Sequence, residues 1–439
     1  MLKIACFFLV IATTTPLWSQ VEPAANGGGI DLDDTHMMTP PPISGDAYPV
    51  VVGTESRANY LDAGLVFTGS YVDNLMLGDT TKADGDEIYY FLPSVSLDRR
   101  TSRQGETLHY SPGFTLYQNT SQLNGVSQDA SADYRFHISP YAVIEISDKF
   151  QQNDNLYNQS NPFVGGGVSG KPGPSNTLLI APFANEIVNT SNAGIDYQYG
   201  RNAMVGGRGT YDFLHYPDDS HTAGLNDGNT TGAMGFFSRR IGRSEYAGVA
   251  YQFSKFSAHP IDTYAVAHNV FGFYTHYFTK SFSFSILGGP EHYAAWESGL
   301  PKLEGWTPAV QGSLGWQALR TMVSVSYSHL VSGAPGFGGA YHADMASIDG
   351  RFLFSRNWSV GAEGNYSLLD SLTPALFPGG HTISAGADVQ HRVMEGLNAA
   401  IGYMHFHESY SGIPVAFIAP DSNRVYLSIS YGFHRPLGR

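Results

Sequence analysis

The feature that most constrains the fold of this chain is a two-residue alternation of apolar and polar side chains between Tyr60 and Phe433. From Leu61 to Asp73 the odd positions are mainly apolar, and the even positions are mostly polar or small. Ala142 to Lys149 and Val425 to Phe433 repeat the pattern. A period of two is typical of β-strands, because successive side chains point to opposite faces. The sequence therefore predicts an all-β chain.

The number of these segments and the connections between them favour a barrel that crosses a membrane. We count about eighteen segments, each close to the length with which a tilted strand crosses hydrocarbon. Short connections alternate with long ones along most of the chain, as in an antiparallel barrel with turns at one rim and loops at the other. The predicted long loops are Asn74 to Asp86, Gln152 to Asn185, Pro217 to Asn229, Pro290 to Thr307, Ser332 to Tyr341, Leu369 to Gly380 and Glu408 to Asp421. We predict a transmembrane, antiparallel, up-and-down β-barrel of about 18 strands, with about 16 as the alternative, short periplasmic turns and long external loops.

Composition agrees with a barrel in a membrane and excludes some partners. Only 14% of the residues are charged, and 13% are aromatic. The predicted polar faces consist mostly of Ser, Thr, Gly, Asn and Gln, which suits a lumen better than a surface in bulk water. Aromatic residues near the strand ends, such as Tyr89 to Phe91, indicate interfacial girdles. The 24 Lys and Arg against 38 Asp and Glu argue against a nucleic-acid partner, which requires a basic surface.

The chain divides into four segments. Residues 1–20 form a predicted signal peptide, with Lys3 before an apolar run and a cut after Ser19 or Gln20. Residues 21–59 form a flexible, Pro- and Gly-rich acidic leader in the periplasm, 60–433 the outer-membrane barrel, and 434–439 a short tail. The single cysteine, Cys6, lies in the signal peptide, so the exported chain has no disulfide or thiol chemistry.

Two constellations resemble sites for chemistry, but neither is specific enough to predict an enzyme. His215, Asp218, Asp219 and His221 form a possible metal-binding group, for which a solvated turn is the better interpretation. A hydrolase site at His405, His407, Glu408 and Ser409 lacks a nucleophile elbow, and neighbours on one strand do not converge. We therefore predict no catalytic residues, no metal site and no cofactor.

Charged residues on the polar strand faces are predicted to line the lumen. They are Asp98, Asp133, Arg135, Glu145, Lys149, Asp196, Arg208, Asp212, Asp349, Arg351, Glu363 and Asp388, with Asp62 and Arg424 as further members. Acids outnumber bases among them, so the prediction is a passive channel that is weakly cation-preferring or nearly neutral. The alternative is that Arg135, Arg208 and Arg351 only pair with neighbouring carboxylates.

Three features qualify a uniform open barrel. Pro93 and Pro112 fall inside predicted strands at matched distances from a turn, which suggests a paired bulge or kink. The stretch from Gln152 to Asn185 either folds into the lumen or is an exterior loop. Trp296 and Trp306 are placed in a loop and Trp316 on the lipid-facing register, which weakens a sugar-guiding aromatic ladder.

The last strand introduces a family resemblance. Arg424 to Phe433 (RVYLSISYGF) resembles the signal read by the outer-membrane assembly machinery, carried by Val425, Leu427, Ile429, Tyr431 and Phe433, although six residues follow Phe433. Pro93 to Tyr117, Tyr141 to Asn155 and His381 to Arg439 resemble exported barrels akin to a β-barrel porin family found beside exopolysaccharide genes. The expected function is passive diffusion of small hydrophilic solutes or saccharides across the bacterial outer membrane. Exopolysaccharide secretion and a non-transporting structural or adhesive barrel are the alternatives.

Overall fold

A computed structural model describes residues 59–75, 85–153, 185–217, 226–259, 263–279, 281–296, 301–333, 339–372, 379–410 and 421–437. These residues form eighteen β-strands and one short 3-10 turn, Ser121–Leu123. The first nine strands are β1 (Tyr60–Val72), β2 (Asp86–Arg100), β3 (Gln104–Tyr117), β4 (Gly125–Ser139), β5 (Ala142–Asn153), β6 (Glu186–Gly200), β7 (Ala203–His215), β8 (Asp227–Arg240) and β9 (Glu245–His259). The others are β10 (Thr263–Thr279), β11 (Phe282–Trp296), β12 (Leu303–Gln317), β13 (Thr321–Gly333), β14 (Ala340–Leu353), β15 (Trp358–Ser371), β16 (Gly380–Met394), β17 (Leu397–Tyr410) and β18 (Asp421–Pro436).

The strands close into one antiparallel barrel. Each pairs with its neighbours in sequence, and β1 pairs with both β2 and β18, so the sheet has no first or last strand. The predicted up-and-down barrel of eighteen strands is confirmed, and the sixteen-strand alternative is wrong. The last strand continues to Pro436, which lies opposite Tyr60, so three of the six residues predicted as a tail belong to β18. The predicted signal peptide and residues 21–58 of the leader lie outside the described residues.

The two rims of the barrel differ in the length of their connections. At one rim, which we call the turn rim, two to four residues join consecutive strands, such as 140–141 and 241–244, and the first and last strands also end here. At the opposite rim, the loop rim, connections range from 260–262 to 154–185. One predicted loop is wrong in extent, because β11 and β12 pair as far as Ala295 and Leu303, which leaves 297–302 as the connection.

The outer face of the barrel is apolar. Side chains on the outward-facing register, such as Leu65 and Phe67 of β1, are exposed, whereas Thr68 and Ser70 on the other register are buried. The five predicted assembly-signal residues of β18 all lie on this outer face: Val425, Leu427, Ile429, Tyr431 and Phe433. No helix among the described residues is long and apolar enough to span a membrane.

Pro93 and Pro112 lie directly opposite each other on β2 and β3. The ladder is interrupted between the pairs Phe91–Phe114 and Val95–Tyr110, yet the register is the same on both sides. The predicted matched position is therefore observed, but without the extra residue that defines a bulge. The ladder breaks because proline has no amide hydrogen to donate. The hydroxyl of Ser111 donates instead to the carbonyl oxygen of Pro93, at 3.0 Å.

The alternation suggested a polar inner face, but part of the inner face of the barrel is apolar. Buried apolar side chains on the inner register of β7 to β12 pack into one group, which we call the inner apolar cluster. Its members are Met204, Phe236, Tyr246, Ala250, Phe271, Phe273, Tyr277, Leu287 and Ala309. The predicted polar lumen is therefore interrupted by apolar side chains on this side. In β10, Phe271 and Phe273 point inward while Val270 points outward, so this stretch is apolar on both faces.

Candidate functional site: the lining of the barrel

Charged side chains from four neighbouring strands meet on the inner face of β4 to β7. Arg135 of β4 lies opposite Glu145 of β5 and donates to its Oε1 atom from Nε at 2.8 Å. Arg208 of β7 lies 3.9 Å from the other oxygen of Glu145 and 3.7 Å from Oδ2 of Asp196 on β6. We call these four residues the first ion-pair cluster; its two arginines and two carboxylates give a formal charge of zero.

A second group lies on the inner face of β14 to β16. Arg351 of β14 donates from Nη2 to both carboxylate oxygens of Asp388 on β16, at 3.0 and 3.2 Å. Its Nη1 atom also donates to Ser359 and Gln390, each at 2.9 Å. Asp349 and Glu363 face each other across the β14–β15 ladder. With Arg351 and Asp388 they form the second ion-pair cluster, which has one arginine, three carboxylates and a formal charge of −2.

In each cluster an ion pair joins two strands that are not neighbours. Gly194 of β6 lies between Glu145 and Arg208 in the ladder, and Gly361 of β15 lies between Arg351 and Asp388. A glycine leaves the inner face of the middle strand free, so the flanking side chains can approach over it. At Gly194 the space is already taken, because a Cβ atom there would lie 3.1 Å from Cγ of Arg208.

The two ion-pair clusters face each other across the lumen. Their middle strands, β6 and β15, are nine strands apart in a ring of eighteen, which places them on opposite sides. The formal charges of the two sides differ by two units, so a field directed toward the second cluster crosses the lumen. Between the clusters, one wall carries the inner apolar cluster, and the other carries buried hydroxyls. These hydroxyls include Thr68, Ser70, Ser96, Ser111, Ser428 and Ser430.

The remaining predicted lumen residues also lie on the inward-facing register, but outside the two clusters. Asp98 accepts a hydrogen bond from Nε of Arg100 at 2.9 Å, and Asp62 pairs with His434. Arg424 lies over the ring of Tyr426, 5.7 Å from its centroid. The other three are Asp133, Lys149 and Asp212, on β4, β5 and β7. The alternative, in which arginines pair with nearby carboxylates, agrees with the contacts of Arg135, Arg208 and Arg351 in the two ion-pair clusters.

The geometry of β17 does not support the hydrolase interpretation. His405 and His407 are on the outward-facing register, where they contact Asn423 at 3.0 Å and Asp421 at 2.8 Å, whereas Glu408 is buried on the inner face. A Ser-His-acid arrangement would need all three groups on one side of the wall.

The predicted histidine and aspartate group at the end of β7 is only partly within the described residues. Nδ1 of His215 is hydrogen-bonded to Oδ2 of Asp227 on β8 at 2.7 Å. Asp218, Asp219 and His221 lie outside the described residues. The described part of the chain contains no group of three or more His, Cys, Asp or Glu side chains placed to hold a metal.

The three tryptophans considered as a sugar guide lie on the outside of the barrel wall. Trp296 stacks on Tyr264 at 4.6 Å, Trp306 is 71% exposed, and Trp316 follows the outward-facing register as predicted. The placement of Trp296 and Trp306 in a loop is wrong, since both are strand residues. None of the three lines the lumen, so they do not form an internal ladder for sugars.

Two buried acids in the barrel were not predicted from the sequence. Glu291 of β11 is 0% exposed and accepts a hydrogen bond from the backbone amide of Val331 at 2.9 Å. Asp86, the first residue of β2, accepts hydrogen bonds from the amides of Asn119 and Thr120, each at 3.0 Å. Glu291 falls in a stretch assigned to a loop, and Asp86 at a loop boundary. The only signal in the sequence is a lone acid beside apolar residues.

No protein-family model matches the chain, and no curated protein matches it. Solved outer-membrane barrels have similar structures. The Pseudomonas aeruginosa outer membrane protein opdK shares 11% identity over 85% of this chain and 99% of its own, with a TM-score of 0.42. OccK2 (OpdF) from the same organism shares 9% over 85% and 98%, with a TM-score of 0.44, and Acinetobacter baumannii OccAB4 shares 7% over 87% and 99%, with a TM-score of 0.43. At these values the function must be argued from the residues of this chain.

Proposed function

We propose that the chain is an outer-membrane channel of the porin type, through which small hydrophilic solutes or saccharides diffuse passively. The observation that carries the proposal is the arrangement of polarity in a closed barrel. The outer face is apolar, while two ion-pair clusters and a wall of hydroxyls lie inside. A closed barrel pairs its backbone groups internally, as hydrocarbon requires, and a polar interior accommodates water and hydrated solutes.

The charges of the lining favour cations. The second ion-pair cluster has a formal charge of −2, and the first has none, so the ionisable groups they place beside the lumen are negative overall. Side-chain charges around a pore set which ions enter, because they replace part of the hydration that the ion gives up. We therefore expect weak cation selectivity combined with passage of neutral polar solutes.

A planar-bilayer recording of the purified, folded protein tests this function. We expect discrete conductance steps and, in a salt gradient, a reversal potential on the side of cation preference. Boiled protein, in which the barrel is unfolded, is the matched control and should give no steps. Absence of steps from folded protein, or better permeation by the anion, would refute the proposal.

Two further steps would bring the chain to its place in the membrane. The outward row of β18 from Val425 to Phe433 is proposed as the signal for the assembly machinery, since it offers alternate apolar side chains on one face. Residues 1–20 are proposed as a cleaved signal peptide. Sequencing the N-terminus of the membrane-extracted protein tests the cleavage, and loss of the heat-modifiable folded form in Phe433→Ser tests the signal.

A role in exopolysaccharide secretion is a second proposal, supported by the sequence resemblance of Pro93 to Tyr117 and His381 to Arg439 to barrels found beside exopolysaccharide genes. It predicts that deletion of the gene lowers surface polysaccharide without altering the other outer-membrane proteins. Unchanged polysaccharide would leave only the diffusion channel.

A further inference from the structure

Among the described strands, the ladder between β12 and β13 stops short of the loop rim and leaves a seam in the barrel wall. Their described ladder runs from Gln317–Met322 only as far as Val310–His329. Above that level β12 continues to pair with β11, up to Leu303, and β13 continues to pair with β14, up to Gly333. The two hairpins therefore separate toward the loop rim, where no described ladder joins them.

The end of the β13–β14 hairpin covers this seam from the inside. We call residues 330–333 and 340–343 the tip. Val331 of the tip continues the outward-facing register of β13, yet it is only 2% exposed, and its amide donates to the buried carboxylate of Glu291 on β11. His342, which pairs with Val331, contacts the ring of Tyr293 edge-on at 5.5 Å. The face of the tip that would meet lipid thus packs against the inner side of the wall.

The inside of the seam is apolar. Ala309, the first β12 residue above the last ladder pair, belongs to the inner apolar cluster, and Leu330, the corresponding residue of β13, packs against it. The cluster continues along the inner face to Phe236 and Met204 on β8 and β7. An apolar surface inside the barrel therefore leads to the stretch where the described β12–β13 ladder stops short of the loop rim.

The seam lies close to the outer edge of the membrane. Ala309 is nine residues from the turn residue Ala318, and a tilted strand needs about 9 to 11 residues to cross hydrocarbon. The exposed side chain of Trp306 stands on the outer face beside the seam, and aromatic rings of this kind favour the level of the lipid headgroups.

From these observations we infer that the β12–β13 seam is a lateral portal, through which apolar or amphipathic small molecules pass between the barrel interior and the outer leaflet when the tip moves away from β9 and β11. This route is distinct from the proposed diffusion of hydrophilic solutes along the lumen. The tip is the movable part because side-chain contacts replace a ladder on its β12 side. Its covered position keeps the apolar cluster from water while the portal is closed.

An engineered disulfide can hold the tip closed. A Cβ atom at Gly333 would lie 3.0 Å from Cβ of Phe256 on β9, and a disulfide needs about 3.5 to 4.5 Å, so a small outward shift suffices. The exported chain has no cysteine of its own, so the Phe256→Cys, Gly333→Cys pair would form the only bond. Each single cysteine variant is the matched control under the same oxidant.

The readout is entry of an apolar fluorescent probe, N-phenyl-1-naphthylamine, into cells whose outer membrane contains the protein. We expect the oxidised pair to slow probe entry severalfold relative to its reduced form and to both single variants. Swelling of protein-containing liposomes in a small sugar should be similar in all of them. Equal probe entry for oxidised and reduced pair would overturn the portal, and absence of swelling in every sample would instead overturn the diffusion channel.

A second pair of variants decides the matter if the cysteine pair does not fold. Glu291→Leu removes the acceptor of the Val331 amide, and Glu291→Gln keeps an acceptor oxygen at the same place. The portal predicts faster probe entry for the leucine variant and unchanged entry for the glutamine variant. Identical entry for both, in protein with the heat-modifiable gel shift of the folded barrel, would contradict it.

Discussion

Arg351 of β14 and Asp388 of β16 form an ion pair that spans the strand between them, β15. The guanidinium Nη2 atom lies 3.0 and 3.2 Å from the two carboxylate oxygens, above Gly361 of the intervening β15. Glu145 and Arg208 repeat the arrangement over Gly194 on the opposite wall, at the longer distance of 3.9 Å. In both places an ion pair passes over a glycine of the middle strand and so connects the two outer strands of three. The two places face each other across the lumen.

The first prediction concerns the stability that the Arg351–Asp388 pair provides. Asp388 is only 2% exposed, so Arg351→Met leaves a buried carboxylate without its main partner. Loss of one member of a buried ion pair costs about 3 to 5 kcal/mol. We expect a decrease of that size in the free energy of unfolding, measured by urea titration of the gel-shifted folded form.

Two further variants test whether burial of the ion pair causes this loss of stability. Arg135→Met breaks a pair whose arginine side chain is 41% exposed, so its cost should be about 0 to 1 kcal/mol. Adding Asp388→Leu to Arg351→Met removes the stranded charge and should recover part of the loss. Equal losses for the Arg351 and Arg135 variants would show that burial does not govern the contribution of these pairs.

A second prediction concerns ion selectivity. Asp349→Asn combined with Glu363→Gln reduces the formal charge of the second ion-pair cluster from −2 to zero while keeping the shape of the side chains. The charge difference between the two facing walls then disappears, so the reversal potential in a salt gradient should move toward zero. Single-channel conductance should persist, since no bulk is added.

Asp148 offers the matched control for selectivity. It shares the outward-facing register of β5 with Ile146, and its carboxylate accepts a hydrogen bond from Ser191 at 2.6 Å. Asp148→Asn removes one negative charge from the outside of the wall and should leave the reversal potential unchanged. If it shifts the potential as much as the lumen variant does, the selectivity does not originate in the lining.

A third prediction concerns the break in the β2–β3 ladder. Neither Pro93 nor Pro112 donates an amide hydrogen, and the register on both sides already matches. Pro93→Ala with Pro112→Ala should therefore restore two backbone hydrogen bonds, each worth about 0.5 to 1.5 kcal/mol. Higher stability in urea titration is expected, with roughly half the gain in either single variant; a loss of stability would mean that the break relieves strain in the barrel.

Much of the fold follows from the sequence because a two-residue period depends only on neighbouring residues. The alternation in Leu61 to Asp73 and in Val425 to Phe433 was sufficient to predict a strand and its lipid-facing side. It also placed charged residues such as Arg351 and Asp388 on the inner register. Their partnership was not predictable, because it depends on Gly361 and on the relative register of three strands.

Neither the incomplete seam nor its buried acid is predictable in the same way. Ala309 and Leu330 lie in stretches whose alternation is ordinary, and the contacts of the tip with β9 and β11 join residues that are distant in the sequence. Glu291 was assigned to a loop because Pro290 and the glycines before it are turn-forming residues. The pairing of β11 with its neighbours β10 and β12 outweighs that local preference.

The fourth prediction concerns Asp86 at the loop rim. Its carboxylate, on a side chain that is 1% exposed, accepts hydrogen bonds from the amides of Asn119 and Thr120 and from the Thr120 hydroxyl. These bonds anchor the connection 118–124 to the start of β2. Hydrogen bonds to charged groups contribute about 1.5 to 3 kcal/mol, so Asp86→Ala should decrease the free energy of unfolding by that amount.

Limited proteolysis of the folded barrel checks where this loss acts. In Asp86→Ala the connection 118–124 should be cut faster than in the unaltered protein, because its two anchored amides are released. Glu87→Ala, which changes the neighbouring exposed acid, is the control and should be cut at the original rate. Because the remaining barrel is held by its own ladders, cleavage at the turn rim should not change in either variant. Cleavage that accelerates equally at both rims would indicate a general loss of stability and would remove the anchoring role assigned to Asp86.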